Sequence, residues 1–181
     1  MRILIASDLH GSAYYTRLLL QRADEQKPDQ LLLLGDLLYH GPRNDLPRDY
    51  APKEVIALLN ERKEQISCVR GNCDTEVDQM VLQFPILADY ALLFHEGKRI
   101  FASHGHHHSP ATQPPLPSGS VLLNGHTHVP ACERFGDCLY VNPGSTSIPK
   151  EDSPHSYLLL EDGKLLFTDL ETNRCYRQES L

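Results

Sequence analysis

Five short apolar runs of four to six residues each end at residues that can bind a metal ion. Leu-rich or β-branched runs of this length are typical of buried strands rather than helices. They cover residues 2–7, 30–34, 66–70, 99–103 and 120–123. The polar residues that follow them are Asp8, His10, Asp36, Asn72, His104, His126 and His128. The pattern predicts five strands that each end at a candidate metal ligand.

Two longer segments between the first three runs have apolar residues at helical spacing. Residues 12–26 begin at Ser12, a residue type that caps helix N-termini, and residues 52–64 carry Pro52 in their first turn. The order strand, helix, strand, helix, strand predicts parallel pairing with right-handed crossovers.

The second half of the chain carries hairpin signals instead. Three pairs of apolar runs flank the dipeptides Glu96-Gly97, Gly136-Asp137 and Asp162-Gly163, which favour tight turns with positive φ. The paired runs are residues 90–95 and 98–103, 129–135 and 138–142, and 156–160 and 164–169. A parallel half followed by antiparallel hairpins predicts a mixed α/β fold, in which two packed mixed sheets carry helices on the outside.

The composition, with 40% hydrophobic and 23% charged residues, is that of a globular protein and excludes wholesale disorder. The length of 181 residues predicts one domain over residues 1–181. No apolar run approaches the ~20 residues of a membrane helix, and the N-terminal residues do not show the pattern of a secretory signal. We therefore expect a protein that is mature from residue 1, located in the cytoplasm and not bound to a membrane.

The net charge narrows the classes of binding partner, and the cysteine pattern narrows the kinds of cross-link and metal site. A net charge of −7 without a clustered basic stripe argues against proteins that wrap long nucleic acid. The five cysteines include no CxxC pair, so neither a disulfide framework nor a thiolate zinc site is expected. The sequence leaves a homo-oligomer open.

Each polar residue at the strand ends has a simpler explanation when it is taken alone. Asp8 could cap the following helix, Asp36 could be a turn residue, and His104 could be a hydrogen-bonded core histidine. Together, however, the seven residues should meet at the edge where the carboxyl ends of the strands collect. Four imidazoles, two carboxylates and one amide form a set without sulfur, which suits Mn²⁺, Fe²⁺ or Zn²⁺.

Seven ligands exceed the needs of one ion and fit two divalent ions that share a carboxylate. A pair of this kind clamps the attacking and the leaving oxygen of a phosphoryl displacement. The expected cofactor is therefore two divalent metal ions, with Mn²⁺ favoured and Zn²⁺, Fe²⁺ or another divalent ion as alternatives.

In their order along the chain, these motifs resemble the five motifs of the calcineurin-like metallophosphoesterases. The motifs are Asp8-x-His10, Gly35-Asp36, Gly71-Asn72, His104-Gly105 and Gly125-His126-x-His128. Residues 40–52, 70–80 and 142–150 look especially similar to the small bacterial YfcE-type phosphodiesterases. The resemblance covers nearly the whole chain and implies the metallophosphoesterase fold, a four-layer αββα sandwich. It also implies one ion held by Asp8, His10, Asp36 and His128, and a second held by Asp36, Asn72, His104 and His126.

One position departs from the wider family. Most members carry His after the metal-binding Asn, where it is taken to protonate the leaving oxygen or to steady the transition state. This chain reads Gly71-Asn72-Cys73-Asp74 instead, and the YfcE-type branch shares the cysteine. Asn72, Cys73 and Asp74 are the candidate catalytic residues, with Asp74 orienting its neighbours. A second interpretation of Cys73 has the same weight as the catalytic one: the cysteine is a small residue that only fills space beside the site.

The loop of residues 40–52 follows Asp36 and is long for an α/β crossover. Long loops beside a site often hold substrate, so Arg43 and Asn44 are candidate substrate-binding residues; an oligomer contact is the alternative.

We expect a metal-dependent phosphodiesterase in which metal-bound hydroxide attacks small phosphodiesters at a dinuclear centre. The alternatives are a phosphomonoesterase at the same site and a non-catalytic interaction scaffold such as the retromer's phosphoesterase-like subunit. Catalysis is favoured because all seven ligand positions are filled.

Overall fold

The computed structural model describes residues 1–181, which form eleven strands and three helices. The strands are β1 (Ile3–Ala6), β2 (Gln30–Leu33), β3 (Ile66–Cys68), β4 (Ala91–His95), β5 (Lys98–Ala102), β6 (Val121–Leu123), β7 (Ala131–Phe135), β8 (Cys138–Asn142), β9 (Ser156–Glu161), β10 (Lys164–Asp169) and β11 (Cys175–Ser180). The helices are α1 (Ala13–Gln26), α2 (Pro52–Asn60) and α3 (Glu76–Val81). Every strand that the sequence predicts is present, with ends that differ by at most two residues.

The strands form two mixed sheets. The first has six strands in the order β11-β10-β9-β1-β2-β3, and its strands β1, β2 and β3 run parallel. The second has five strands in the order β4-β5-β6-β8-β7, and its strands β5, β6 and β8 run parallel. The three predicted hairpins join β4 to β5, β7 to β8 and β9 to β10. The mixed α/β class with two mixed sheets is therefore confirmed.

Strand β1 shows why the apolar runs are continuous rather than alternating. Ile3 and Ile5 belong to the core between the two sheets, which also contains Ile100 of β5. Leu4 and Ala6 point the other way, into the core beneath α1 and α2. Both faces of the strand are buried, so every position in it favours an apolar residue.

The helices follow the sequence signals unequally. Helix α1 begins as predicted, and the Ser12 hydroxyl accepts a hydrogen bond from the Tyr15 amide. Helix α2 ends at Asn60, before the predicted residue 64, because the chain then tightens into a 3₁₀ turn at Lys63–Gln65. The sequence does not predict α3, since none of its six residues is buried and no apolar periodicity marks it.

The outer face of the second sheet is the one place where the layering differs from the four-layer sandwich that the resemblance implies. The chain forms no helix between β4 and β8. Instead, Pro114, Pro115 and Leu116 lie beside Leu92 and Phe101 on this face. Prolines lack the backbone donor that a helix interior needs, so this stretch crosses the sheet as a loop. No helix in the chain combines the length and the apolar character that a bilayer crossing requires.

Candidate metal centre

Loops at the carboxyl ends of the parallel strands bring the seven predicted ligands to one edge of the two sheets. In the first sheet these loops carry Asp8 and His10 after β1, Asp36 after β2 and Asn72 after β3. In the second sheet they carry His104 after β5, and His126 and His128 after β6. Five of the seven are at most 3% exposed, whereas His126 is half-buried and Asn72 is exposed.

One group of donor atoms surrounds Asp8 and His10. Nε2 of His128 lies 3.2 Å from Oδ1 of Asp8 and 3.3 Å from Nε2 of His10. Nε2 of His10 lies 3.5 Å from Oδ1 of Asp8 and 3.7 Å from Oδ2 of Asp36. Ligands that share one metal at about 2.1 Å sit roughly this far apart, so one cation can bridge the group.

A second group surrounds His104. Its Nε2 lies 3.0 Å from Oδ1 of Asn72, 3.2 Å from Nδ1 of His126 and 3.4 Å from Oδ2 of Asp36. Oδ2 of Asp36 therefore belongs to both groups and lies between them. The two groups coincide, residue by residue, with the two ligand sets that the family resemblance implies.

Backbone carbonyl groups orient three of the four imidazoles. Nδ1 of His10 lies 2.7 Å from the carbonyl oxygen of Tyr39, and Nδ1 of His104 lies 2.7 Å from that of Leu34. Nδ1 of His128 lies 2.6 Å from the carbonyl oxygen of Ile148. A carbonyl oxygen only accepts hydrogen bonds, so Nδ1 carries a hydrogen and Nε2 faces the cluster. His126 instead presents Nδ1, a difference that the motif Gly125-His126-x-His128 does not reveal.

The electrostatics of the cluster favour bound positive charge. Burial alone would raise the pKa of Asp8, but the imidazoles of His10 and His128 hold this pKa well below its usual range. Burial alone would lower the pKa of His104, but the carboxylates of Asp36 and Asp8 raise it to about 9. Protons and divalent cations compete for the same lone pairs on these imidazoles and carboxylates. The cluster can therefore bind either protons or divalent cations.

A bound cation would satisfy an otherwise unpartnered oxygen of Asp8. Its Oδ1 is buried and makes no hydrogen bond, although Nε2 of His128 lies 3.2 Å away. A buried carboxylate oxygen without a partner is costly unless a donor or a cation satisfies it. The atoms around this oxygen are imidazole nitrogens and carboxylate oxygens, which divalent transition-metal ions accept as ligands.

Backbone strain is concentrated at the same residues. Of twelve non-glycine residues with positive φ, five are candidate ligands, namely Asp8 (59°), His10 (46°), Asp36 (56°), His126 (67°) and His128 (64°). The left-handed region costs about 1 kcal/mol or more for a residue with a side chain, and less for Asp and His than for β-branched residues. Strain that clusters in this way marks a functional site.

Two glycines in the motifs permit close approaches that no other residue would allow. A Cβ atom at Gly71 would lie 2.1 Å from Oδ1 of Asp36. A Cβ atom at Gly125 would lie 1.9 Å from Oγ of Ser7 and 2.9 Å from Oδ2 of Asp8. These glycines therefore let the loops of the motifs pack directly against the two carboxylates.

The three predicted catalytic residues occupy different environments. Asn72 is exposed at the cavity, and its Oδ1 faces His104. Cys73 is half-buried; burial and the nearby Asp36 carboxylate raise the pKa of its thiol, while its backbone N–H donates to Asp36 at 2.8 Å. Asp74 is 2% exposed and its carboxylate accepts only backbone N–H groups, so it positions the loops around it.

A cavity of about 310 Å³ opens beside both groups of donor atoms. Arg43 and Asn44, the predicted substrate-binding residues, line this cavity together with Cys73. Lys150 also lines it, and the sequence reasoning does not identify this lysine. It lies within the segment of residues 142–150 that carries the family resemblance, but no pattern of its own marks it.

Comparison with known proteins agrees with this geometry. The calcineurin-like phosphoesterase superfamily domain matches residues 1–163. Phosphodiesterase YfcE of Escherichia coli (strain K12) is 46% identical over 165 residues, which cover 91% of this chain and 90% of that protein. The solved structure of the E. coli phosphoesterase Yfce has a TM-score of 0.96 at 43% identity and covers 99% of each chain. The structure of Vps29 from Entamoeba histolytica shares the fold, with a TM-score of 0.63 at 22% identity. The match covers 100% of this chain and 99% of the Vps29 chain.

The domain match and the E. coli relative both extend over most of the chain, and the family implies divalent metal ions at the site described above. This chain belongs to the calcineurin-like phosphoesterase superfamily.

Proposed function

We propose that this protein is a metal-dependent phosphodiesterase that hydrolyses small phosphodiesters at a centre of two divalent ions. The observation that carries the proposal is the position of Asp36. Its Oδ2 lies 3.7 Å from Nε2 of His10 and 3.4 Å from Nε2 of His104, so one oxygen serves both groups of ligands. The name of the E. coli relative, a phosphodiesterase that is 46% identical, supports the same activity.

The two groups of donor atoms, one around Asp8 and His10 and one around His104, would each hold one ion. The first ion would be held by Asp8, His10, Asp36 and His128, and the second by Asp36, Asn72, His104 and His126. Both sets combine oxygen and imidazole nitrogen without sulfur, which suits Mn²⁺ and also Zn²⁺ or Fe²⁺. We take Mn²⁺ as the preferred ion because carboxylate oxygens contribute to both sets and the Asn72 amide oxygen adds to the second.

Two bound divalent ions would generate a nucleophile from water at neutral pH and offset the charge that develops on the phosphoryl oxygens. The chain itself supplies orientation. The carbonyl groups of Tyr39, Leu34 and Ile148 fix the rings of His10, His104 and His128, respectively. Asn72 lies exposed at the cavity, where its amide can contact a bound phosphate. Burial and the Asp36 carboxylate raise the pKa of the neighbouring Cys73 thiol.

The size and charge of the protein favour small substrates. A chain with a net charge of −7 would repel a long polyanion, and affinity for long nucleic acid depends on many phosphate contacts. A cavity of about 310 Å³ accommodates a small diester. A phosphomonoesterase at the same site is the second candidate. A non-catalytic scaffold is disfavoured because all seven ligand positions hold residues that can bind metal.

We also propose that residues 1–181 form one domain. Strand β1 supports this view, since Ile5 contributes to the core between the sheets and Leu4 to the core beneath the helices. The five cysteines are all unpaired in the fold, which suits a reducing compartment such as the cytoplasm.

A metal-reconstituted substrate screen tests the proposal. The protein is stripped with a chelator, reloaded with Mn²⁺, Zn²⁺ or Fe²⁺, and assayed on bis(4-nitrophenyl) phosphate, 4-nitrophenyl phosphate, cyclic nucleotides and dinucleotides. We expect turnover of diesters that depends on the metal and disappears in Asp36→Asn. The matched control is Asp137→Asn, which changes an exposed aspartate in the β7–β8 turn. Full activity in metal-free protein, or turnover of monoesters alone, would contradict the proposal.

A further inference from the structure

Two cations line the cavity beside the candidate ligands without any partner in the chain. Arg43 and Lys150 both border the cavity of about 310 Å³, and neither side chain forms an ion pair or a hydrogen bond. The acidic residues next to them in the sequence, Asp45, Glu151 and Asp152, pair with neither of them. Two cations without partners at the mouth of a site are available to a ligand.

The loop that carries Lys150 is tied to a candidate ligand. The Lys150 backbone N–H donates to the His128 carbonyl at 3.2 Å, and His128 Nδ1 donates to the Ile148 carbonyl at 2.6 Å. The Ser153 hydroxyl donates to the Lys150 carbonyl at 2.6 Å and closes the turn. These bonds hold the Lys150 backbone next to His128.

The loop that carries Arg43 is tied to another candidate ligand in the same way. Nδ1 of His10 donates to the Tyr39 carbonyl at 2.7 Å. The Asn44 side chain donates to the His40 carbonyl at 2.8 Å and closes the loop around Arg43. The two cations therefore come from separate loops, each anchored to a different imidazole, and both border one cavity.

With the divalent ions bound, the positive charge in this cavity would exceed what a simple phosphodiester can neutralise. Two cations and one carboxylate, that of Asp36, line it, and bound divalent ions would add further positive charge. A phosphodiester group carries a single negative charge. The second cavity beside His104, of about 280 Å³, contains no lysine or arginine among its lining residues. The excess of positive charge is thus confined to one side of the centre, although the whole chain has a net charge of −7.

We propose that Arg43 and Lys150 form a subsite for a negatively charged group on one ester arm of the substrate, so that anionic diesters are preferred over neutral ones. The inference rests on the proposed phosphodiesterase function and names the substrate class for it. The ligand is recognised by its charge: a carboxylate or a further phosphate on the alcohol or phenol side of the diester would satisfy both cations.

A matched pair of synthetic diesters tests the subsite. The first is 4-carboxyphenyl 4-nitrophenyl phosphate, and the second is 4-carbamoylphenyl 4-nitrophenyl phosphate, which has the same size but no charge on that arm. The measured quantity is the ratio of kcat/KM for the two diesters in the metal-loaded enzyme. Arg43 and Lys150 are both exposed, so each cation should contribute about threefold, and we expect a ratio of about ten in the wild type.

Three variants and one control assign the effect to these residues. Arg43→Gln and Lys150→Gln should each reduce the ratio to about three, and the double variant should reduce it to about one. Because each variant is normalised to its own turnover of the neutral diester, a partial loss of folded protein cancels from the ratio. Lys53→Gln, at an exposed lysine of α2 that does not line the cavity, should leave the ratio at its wild-type value.

Equilibrium binding provides a readout that does not depend on turnover. Titration calorimetry compares 4-carboxyphenyl phosphate with 4-carbamoylphenyl phosphate, and the wild type should bind the carboxylate about tenfold more tightly. A wild-type ratio of one in both measurements, or a preference that survives in the double variant, would overturn the subsite. Failure to cleave either diester would refute the phosphodiesterase function instead, and the binding comparison would still decide whether the subsite exists.

Discussion

Asp74→Asn should destabilise the fold and weaken metal binding together. Oδ2 of Asp74 accepts the backbone N–H groups of Asp36 at 2.8 Å and Gly71 at 2.7 Å, and Oδ1 accepts that of Leu37 at 3.0 Å. The side chain thus joins the loop after β2 to the loop after β3. These two loops carry Asp36 and Asn72, which are candidate ligands of the same ion.

The size of the effect follows from these bonds. Asparagine keeps the shape of aspartate but turns one acceptor into an NH₂ group, which then faces a backbone N–H. Losing a hydrogen bond to a charged acceptor costs about 1.5–3 kcal/mol. Burial and the nearby Asp36 raise the pKa of Asp74, so removing its charge recovers part of that cost. We expect a loss of about 2 kcal/mol in the free energy of unfolding and a fall in Tm of about 4–8 °C.

Urea unfolding of chelator-treated protein measures the stability, and competition with a chromogenic chelator measures the metal affinity. Residues that support metal ligands typically change affinity 10–100-fold, so a loss of about tenfold is expected for Asp74→Asn. Asp137→Asn is the control and should change neither quantity. An unchanged urea midpoint of unfolding would refute the claim that the three hydrogen bonds to the Asp74 carboxylate stabilise the fold. Reduced stability with unchanged metal affinity would show that Asp74 supports the fold but does not position the ligands.

Three further predictions concern the centre and its substrates. Gly71→Ala places a Cβ atom 2.1 Å from the Asp36 carboxylate, so the purified variant should retain less than half of the wild-type metal content; equal content would contradict the close approach. Cys73→His should accelerate alkyl diesters by about 10²-fold or more if leaving-group protonation limits the reaction, and Cys73→Ser should change aryl turnover only modestly. An unchanged slope in a leaving-group series, with intact metal content, would make Cys73 a space-filling residue. Long duplex DNA should not be degraded processively at physiological salt, because an acidic chain lacks the required phosphate contacts; a ladder of shortening products on a gel would refute this.

Local patterns predicted most of the secondary structure and failed where local information was weak. Helix α1 was identifiable from Ser12 and its apolar spacing, whereas α3 has only the capping pair Thr75 and Asp78 and no buried residue. Strand β11 (Cys175–Ser180) is an edge strand with a mostly exposed pattern, and it forms because β10 offers it a free edge to pair with. Such elements depend on their neighbours more than on their own residues.

The amino-acid sequence by itself determined which residues stand at the strand ends and that they form an oxygen and nitrogen set, because a strand that is buried on both faces must be apolar until it leaves the sheet. The family resemblance already implied how these donors divide into two sets, but only the tertiary structure decided which of their atoms meet. The sharing of Asp36 Oδ2, the use of Nδ1 by His126 and the presence of Lys150 beside Arg43 all join residues from different loops. Distances between loops are set by the packing of the two sheets, and no spacing along the chain contains that information.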